Sequence, residues 1–148
     1  MRLAAIAFTS LLLVACGGQA STGPSSPSGS PLAQASGRLG AQVPVPVGFP
    51  ADVPIYPKAR LTAAAGFPSA APTSWGMEWQ SLDNVGPVQA FYQKKLSQGD
   101  WSLTVAGSAP NEFTATFGRK SDRSVIGTLD VTGTSGIVTK ILMSLVTA

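Results

Sequence analysis

Hydrophobic and polar residues alternate along much of the second half of this chain, and the alternation predicts β-strands. In one stretch Trp75, Met77 and Trp79 share a face, while small or polar residues occupy the positions between them. Four other predicted strands each have one face: Leu61, Ala63, Ala65 and Phe67; Phe113, Ala115 and Phe117; Val125, Gly127, Leu129 and Val131; and Thr139, Ile141, Met143 and Leu145. A further strand is predicted from Trp101 to Ala106.

One stretch between the second and third strands has helical spacing instead. Apolar residues recur three and four positions apart from Val88 to Leu96. Pro87 fits the first helical position, where its missing N–H costs nothing, and Gly99 is a typical stop. The predicted order is therefore ββαββββ. We expect an α+β domain in which an antiparallel sheet of five or six strands packs one face on a short helix.

The first residues have the pattern of an export signal. Met1-Arg2 is a short basic start, and residues 3–14 form an apolar run interrupted only by Thr9 and Ser10. A transmembrane helix needs about 20 apolar residues, so a run of this length is typical of a signal peptide.

This run ends at the chain's single cysteine, in Leu13-Val14-Ala15-Cys16. The four residues resemble the lipobox of bacterial lipoproteins. The resemblance implies that Cys16 receives a diacylglyceryl group, becomes the first residue of the mature chain after cleavage, and is acylated further, for example with palmitate. Two or three acyl chains anchor a protein stably in a bilayer, whereas one does so marginally. We therefore expect a cell-envelope location, on the outer face of the cytoplasmic membrane or at the outer membrane.

Composition changes sharply after the cysteine. Ser, Gly, Pro and Ala dominate residues 17–48, with a single charge, and such a segment is typical of a flexible tether. The predicted organisation is a signal peptide at residues 1–15, the lipid attachment site and tether at 16–48, and a single folded domain at 49–148.

A second resemblance covers about residues 49–145. The segment Pro50-Ala-Asp-Val-Pro-Ile-Tyr-Pro-Lys-Ala59, followed by Phe91-Tyr92, Leu96 and Trp101, resembles a pattern in small uncharacterised bacterial exported proteins. The resemblance implies an architecture and an exported location, and it assigns no activity.

Composition excludes several kinds of chemistry. The chain has no histidine and one cysteine, so a Ser-His triad and a multi-cysteine zinc site are excluded, and we expect no metal and no cofactor. The net charge of +3 is too small to indicate a nucleic-acid partner. Glu78 and Asp130 fall on outward strand faces, where a hydrolase could use them as paired carboxylates. We expect them instead to be ordinary solvated side chains, and the domain not to be an enzyme.

Two groups of residues are candidates for binding. Arg119, Lys120 and Arg123 cluster on one turn, where they would either contact anionic groups or simply solubilise the hairpin. Because a short helix covers a wide sheet incompletely, part of the apolar face is free to hold a ligand. We expect a non-catalytic binding or structural domain with the bilayer and a protein as partners, or alternatively a carrier or sensor of an apolar small molecule or lipid in a cleft between helix and sheet. The candidate ligand residues are Trp75, Trp79, Tyr92 and Trp101.

Overall fold

The computed structural model describes residues 38–67, 72–134 and 137–147, which contain one antiparallel sheet and one helix. The elements are β1 (Arg60–Phe67), β2 (Thr73–Ser81), α1 (Val85–Lys95), β3 (Trp101–Ala109), β4 (Glu112–Arg119), β5 (Ile126–Thr134) and β6 (Val138–Thr147). Spatially, the strands follow the order β1-β2-β6-β5-β4-β3, and every neighbouring pair is antiparallel. The predicted α+β class and the order ββαββββ are confirmed.

The face of the sheet that packs against α1, here called the inner face, forms the hydrophobic core. Successive strand residues point to opposite sides, so the alternation in the sequence sorts large apolar side chains onto this face. The predicted inward positions of β2, β4 and β6 are all buried, as are Val125, Leu129 and Val131 around β5. Helix α1 contributes three buried side chains, Val85, Val88 and Tyr92, and Leu96 follows directly after it.

The predicted inward face of β1 is wrong beyond its first residue. Leu61 is buried opposite Trp79, but a bulge between Leu61 and Ala63 shifts the register by one residue. As a result Ala64 lies opposite Met77 on the inner face, whereas Phe67 points outward and is 59% exposed. A one-residue shift moves every later side chain to the other face, so a single bulge inverted the rest of the predicted pattern.

The helix begins two residues earlier than the sequence predicts. Its first residue is Val85, so Pro87 is the third helical residue rather than the first. This position still tolerates proline because none of the first four helical N–H groups has an intrahelical acceptor. Gly99, at φ +61°, lies four residues after the helix ends and adopts the left-handed conformation that glycine accepts readily.

A lead-in segment, residues 40–59, wraps around the β1 edge of the sheet. The Gly40 N–H donates to the Gln80 side chain on one side of the sheet, and the Val43 N–H donates to the Leu61 carbonyl at the edge. Phe49 then packs edge-on against Trp75 on the inner face, with ring centroids 6.0 Å apart. Contacts with the sheet thus begin before Phe49, the residue at which the sequence predicts the folded domain to begin.

Candidate functional site

The face of the sheet opposite α1, here called the outer face, carries a row of small residues that crosses all six strands. The strand registers place these residues side by side, one from each strand. From edge to edge they are Ala65, Gly76, Ser144, Thr128, Thr116 and Thr104. No side chain in this row is larger than threonine, so the row forms the floor of a depression.

Larger apolar side chains border this floor on one side. Val146 and Ile126 lie opposite each other on β6 and β5, and Ile126 is 56% exposed. Together with the floor residues of β3 to β6 they enclose an open groove of about 470 Å³, here called the outer groove. Its lining comprises Ser102, Thr104, Thr116, Phe117, Gly118, Arg119, Arg123, Ile126, Gly127, Thr128, Ser144 and Val146.

The chemistry of the outer groove is amphipathic. Ile126, Val146 and the threonine methyl groups offer apolar surface, while serine and threonine hydroxyls offer hydrogen-bond donors and acceptors. A concave, mainly apolar surface with a few polar groups is the usual form of a small-molecule site. None of the groove residues is a carboxylate.

Three basic residues lie at one end of the outer groove, at the turn between β4 and β5, and two of them, Arg119 and Arg123, contribute to its lining. The Arg119 guanidinium donates to the Asp52 carboxylate and lies over the Trp101 ring at 4.9 Å, and Lys120 Nζ donates to the Gly99 carbonyl at 2.8 Å. Among the described residues, Arg123 has neither a hydrogen bond nor an ion pair. Of these three basic residues, Arg123 is the one that lines the groove and has no partner among the described residues.

Two carboxylates, Asp100 and Asp122, are hydrogen-bonded to serines of this turn. The Ser121 hydroxyl and N–H donate to Asp100 and hold its pKa below the usual value, and Ser124 does the same to the pKa of Asp122. Both carboxylates are therefore held by hydrogen bonds to the turn.

The four aromatic residues that are predicted from the sequence as candidates for ligand binding all lie in the core. Trp75, Trp79, Tyr92 and Trp101 are 6%, 2%, 0% and 7% exposed. Phe49 covers both Trp75 and Trp79, and the Tyr92 hydroxyl accepts a hydrogen bond from the Tyr56 N–H. The structure brings these side chains to the inner face and none of them into the outer groove.

Two further depressions lie beside the lead-in, away from the outer groove. One, of about 400 Å³, is bordered by the lead-in, β1 and Trp79. The other, of about 580 Å³, lies where the lead-in meets the end of α1, and its lining includes Phe91, Lys95 and Trp101. Both are shaped mainly by the lead-in rather than by the sheet.

The carboxylate pair Glu78 and Asp130 lies on the outer face, as the sequence predicts. Both residues pair with Leu142, from opposite sides, so their strands are about 10 Å apart with β6 between them. Glu78 Oε1 accepts hydrogen bonds from Thr62 and Gln80 at 3.0 and 2.9 Å. Within residues 38–67, 72–134 and 137–147, no group of three carboxylate or cysteine side chains is arranged to hold a metal ion.

The outer groove does not emerge from the sequence pattern as a site, although small and hydroxyl residues do recur at outward strand positions. Thr116 and Thr128 fall between predicted inward positions and so are predicted to face outward, as they do, but alternation along one strand does not reveal which residues of other strands lie beside them. Only the pairing register assembles small residues from six strands into one row.

The predicted lipid attachment site, Cys16, and the signal peptide before it lie outside the described residues. In the described part of the chain, no helix has both the length and the apolar character needed to cross a membrane. No family model, curated protein or solved structure matches this chain. The resemblance of residues 49–145 to small bacterial exported proteins therefore stays a prediction.

Proposed function

We propose that this protein is a cell-envelope lipoprotein whose folded domain is a non-catalytic binding module. The anchor would be the acylated Cys16, held in the outer leaflet of the cytoplasmic membrane or in the outer membrane. Its support is the lipobox-like Leu13-Val14-Ala15-Cys16 after an apolar run too short to span a bilayer.

The observation that carries the binding role is the outer groove. It lies on the face opposite α1, and its floor and apolar wall are side chains of regular strands, while Arg123 comes from the turn between β4 and β5. Its floor crosses from β3 to β6, a span of about 14 Å at the usual strand spacing. A shallow groove of this length fits an elongated molecule better than a compact one.

The lining chemistry selects the ligand class. Ile126 and Val146 would contact an apolar chain, the serine and threonine hydroxyls would contact polar groups along it, and Arg123 would pair with an anionic group at one end. A guanidinium pairs well with carboxylate or phosphate because its donors are arranged as a fork. The proposed ligand is thus an amphipathic anion with one acyl-like chain, which an anchored protein meets at the membrane surface.

A carrier or sensor for an apolar molecule or lipid in the cleft between helix and sheet is the second candidate function. It is favoured by the depression of about 580 Å³ beside Phe91 and Trp101 at the end of α1. In this case the lead-in, and not the outer face, would enclose the ligand.

Native mass spectrometry of the full-length protein, extracted from its own membrane in mild detergent, tests both parts of the proposal. We expect a mass that lacks residues 1–15 and carries acyl groups on Cys16, together with a small anionic lipid that is lost on activation. An unmodified Cys16 would overturn the anchor.

Variants distinguish the two candidate sites. Thr128→Trp fills the floor of the outer groove and should abolish retention of the anionic lipid, and Arg123→Gln should weaken it about tenfold. Thr132→Trp is the matched control, since Thr132 is exposed on the outer face of the same strand but does not line the groove. Retention that survives Thr128→Trp but fails in Phe91→Ala would assign the ligand to the cleft instead.

A further inference from the structure

The two edge strands of the sheet, β1 and β3, differ in whether another segment pairs with them. At the β1 edge, the lead-in covers the strand, and the Val43 N–H donates to the Leu61 carbonyl. At the β3 edge, no segment within the described residues pairs with the strand on the side away from β4. An unpaired edge presents backbone donors and acceptors to any extended chain that approaches it.

Strand β3 lacks most of the features that block edge pairing. Its nine residues, Trp101–Ala109, include no charge and no proline, and a bulge interrupts it only between Val105 and Gly107. The stretch from Trp101 to Val105 is therefore regular. Within it Thr104 is exposed, and Val105 is 46% exposed although it points to the apolar inner side, opposite Ala115.

Backbone alternation shows which groups face outward. The Lys120 N–H donates to the Asp100 carbonyl across the β3–β4 pair, so the groups of Ser102 and Thr104 also point toward β4. The N–H and C=O of Leu103 and Val105 point away from β4. At Trp101 the N–H is bonded to the Gln98 carbonyl, which leaves its C=O for pairing.

We infer that β3 is a dimerisation strand that pairs antiparallel with β3 of a second copy, with the two-fold axis at Leu103. In this register Leu103 lies opposite Leu103 of the second copy, and Trp101 lies opposite Val105 of the second copy. Ser102 lies opposite Thr104 of the second copy on the outer face. Every pair is thus apolar with apolar or hydroxyl with hydroxyl, and such matched cross-strand pairs stabilise sheets.

We expect the pairing strand to come from a second copy of the chain, because the edge of β3 is complementary to itself. It contains no charge that would repel its own duplicate, and its regular part is symmetric in side-chain character about Leu103. Pairing would cover Val105, which is at the margin of the inner face because α1 packs on β4 and β5. It would also satisfy the outward groups of Leu103.

The geometry of the pair suits two anchored copies. A two-fold axis perpendicular to the sheet keeps both outer faces on the same side, and Thr104 of each copy would join the two outer grooves into one. The lead-in also starts on this side, because the Gly40 N–H bonds the outer-face Gln80. This argument about orientation rests on the proposed anchor at Cys16, whereas the strand pairing does not.

Cysteine cross-linking in the native membrane tests the register. Leu103→Cys places two thiols directly opposite each other, so a short thiol-specific cross-linker should convert most of the full-length protein to a dimer. Val105→Cys is the matched control, because the two Val105 positions would be about 13 Å apart along the strands. Equal cross-linking of both variants, or none of Leu103→Cys, would overturn the inference.

Charge variants of exposed residues test the same register without touching the core. In analytical ultracentrifugation of the detergent-extracted protein, Ser102→Lys with Thr104→Lys should weaken dimerisation at least tenfold, and Ser102→Lys with Thr104→Glu should restore it. A double-lysine variant that dimerises normally contradicts the inference.

Cys16→Ser separates the two proposals. Loss of acylation alone should leave the dimer intact, whereas loss of the dimer would mean that the lipid drives association.

Discussion

The inner and outer faces of the sheet are built from alternate residues of the same strands, yet they have opposite properties. On β5 the inner residues Leu129 and Val131 are 1% and 0% exposed, while Ile126 on the outer face is 56% exposed. The inner face is packed with aromatic and branched side chains, and the outer face has a floor of glycine, alanine, serine and threonine. The comparison teaches that stability is concentrated on one side, which leaves the other side free to vary with function.

The largest expected difference between the faces is in large-to-small substitutions. Trp79→Ala should lower the free energy of unfolding by about 3–5 kcal/mol, because it leaves a cavity among Phe49, Leu61 and Ile141. Thr128→Ala on the outer face should change it by less than about 0.5 kcal/mol. Urea unfolding followed by tryptophan fluorescence and circular dichroism measures both, and equal losses would contradict the comparison.

The next difference concerns added volume. A Cβ atom at Gly127 would overlap the Phe117 ring and approach the Ser144 carbonyl oxygen to 2.7 Å, so Gly127→Ala should cost about 1–3 kcal/mol of unfolding free energy. At Gly76 a Cβ atom would meet no other heavy atom within 4 Å. Gly76→Ala should therefore be neutral or stabilise the strand slightly. Thermal unfolding of the two variants compares them directly, and a destabilised Gly76→Ala would show that the outer face is packed after all.

Alkaline pH should lower the free energy of unfolding through two tyrosines on the inner side, Tyr56 and Tyr92. Burial, with a smaller effect of the hydrogen bond to Asp83, raises the pKa of Tyr56 to about 12, and burial also raises the pKa of Tyr92. Because each folded-state pKa exceeds the unfolded value of 10, this stabilisation is complete below pH 10 and is lost as the pH rises toward about 12. Urea unfolding at pH 8, 10 and 11 measures the loss.

Tyr56→Phe provides the control for this pH effect. The variant keeps the ring that packs against Phe91 but has no hydroxyl to ionise, so its stability should fall less steeply above pH 10. An alkaline slope identical to that of the unchanged protein would show that Tyr56 does not contribute.

A small effect on stability is likewise expected from Ile126→Thr in the outer groove. The side chain is more than half exposed, so the change in unfolding free energy should stay within about 0.5 kcal/mol. The variant nevertheless removes an apolar wall of the groove and should lower the retention of an amphipathic anion in native mass spectrometry. A large loss of unfolding free energy would show that Ile126 stabilises the fold as the inner-face residues do.

Prediction from the sequence worked where the local pattern and the tertiary packing agree. Regular alternation in β2, β4 and β6 placed Trp79, Phe113 and Ile141 inside correctly, because each strand is paired without interruption at these residues. It failed in β1, where the bulge after Leu61 reverses the faces. At the bulge, the Leu61 carbonyl accepts a hydrogen bond from the Val43 N–H, nearly twenty residues away. The spacing of apolar residues within β1 gives no sign of such a distant contact.

By itself, the sequence determined the type and order of the elements, since the spacing of apolar residues selects strand or helix locally. It also determined which large apolar residues of four strands are buried, and it carries the pattern on which the proposed anchor at Cys16 rests. Only the tertiary structure decided the strand order, the covered β1 edge and the β3 edge, with which no described segment pairs. It alone built the outer groove, because neighbours in a sheet come from distant parts of the chain and are set by pairing register rather than by sequence period.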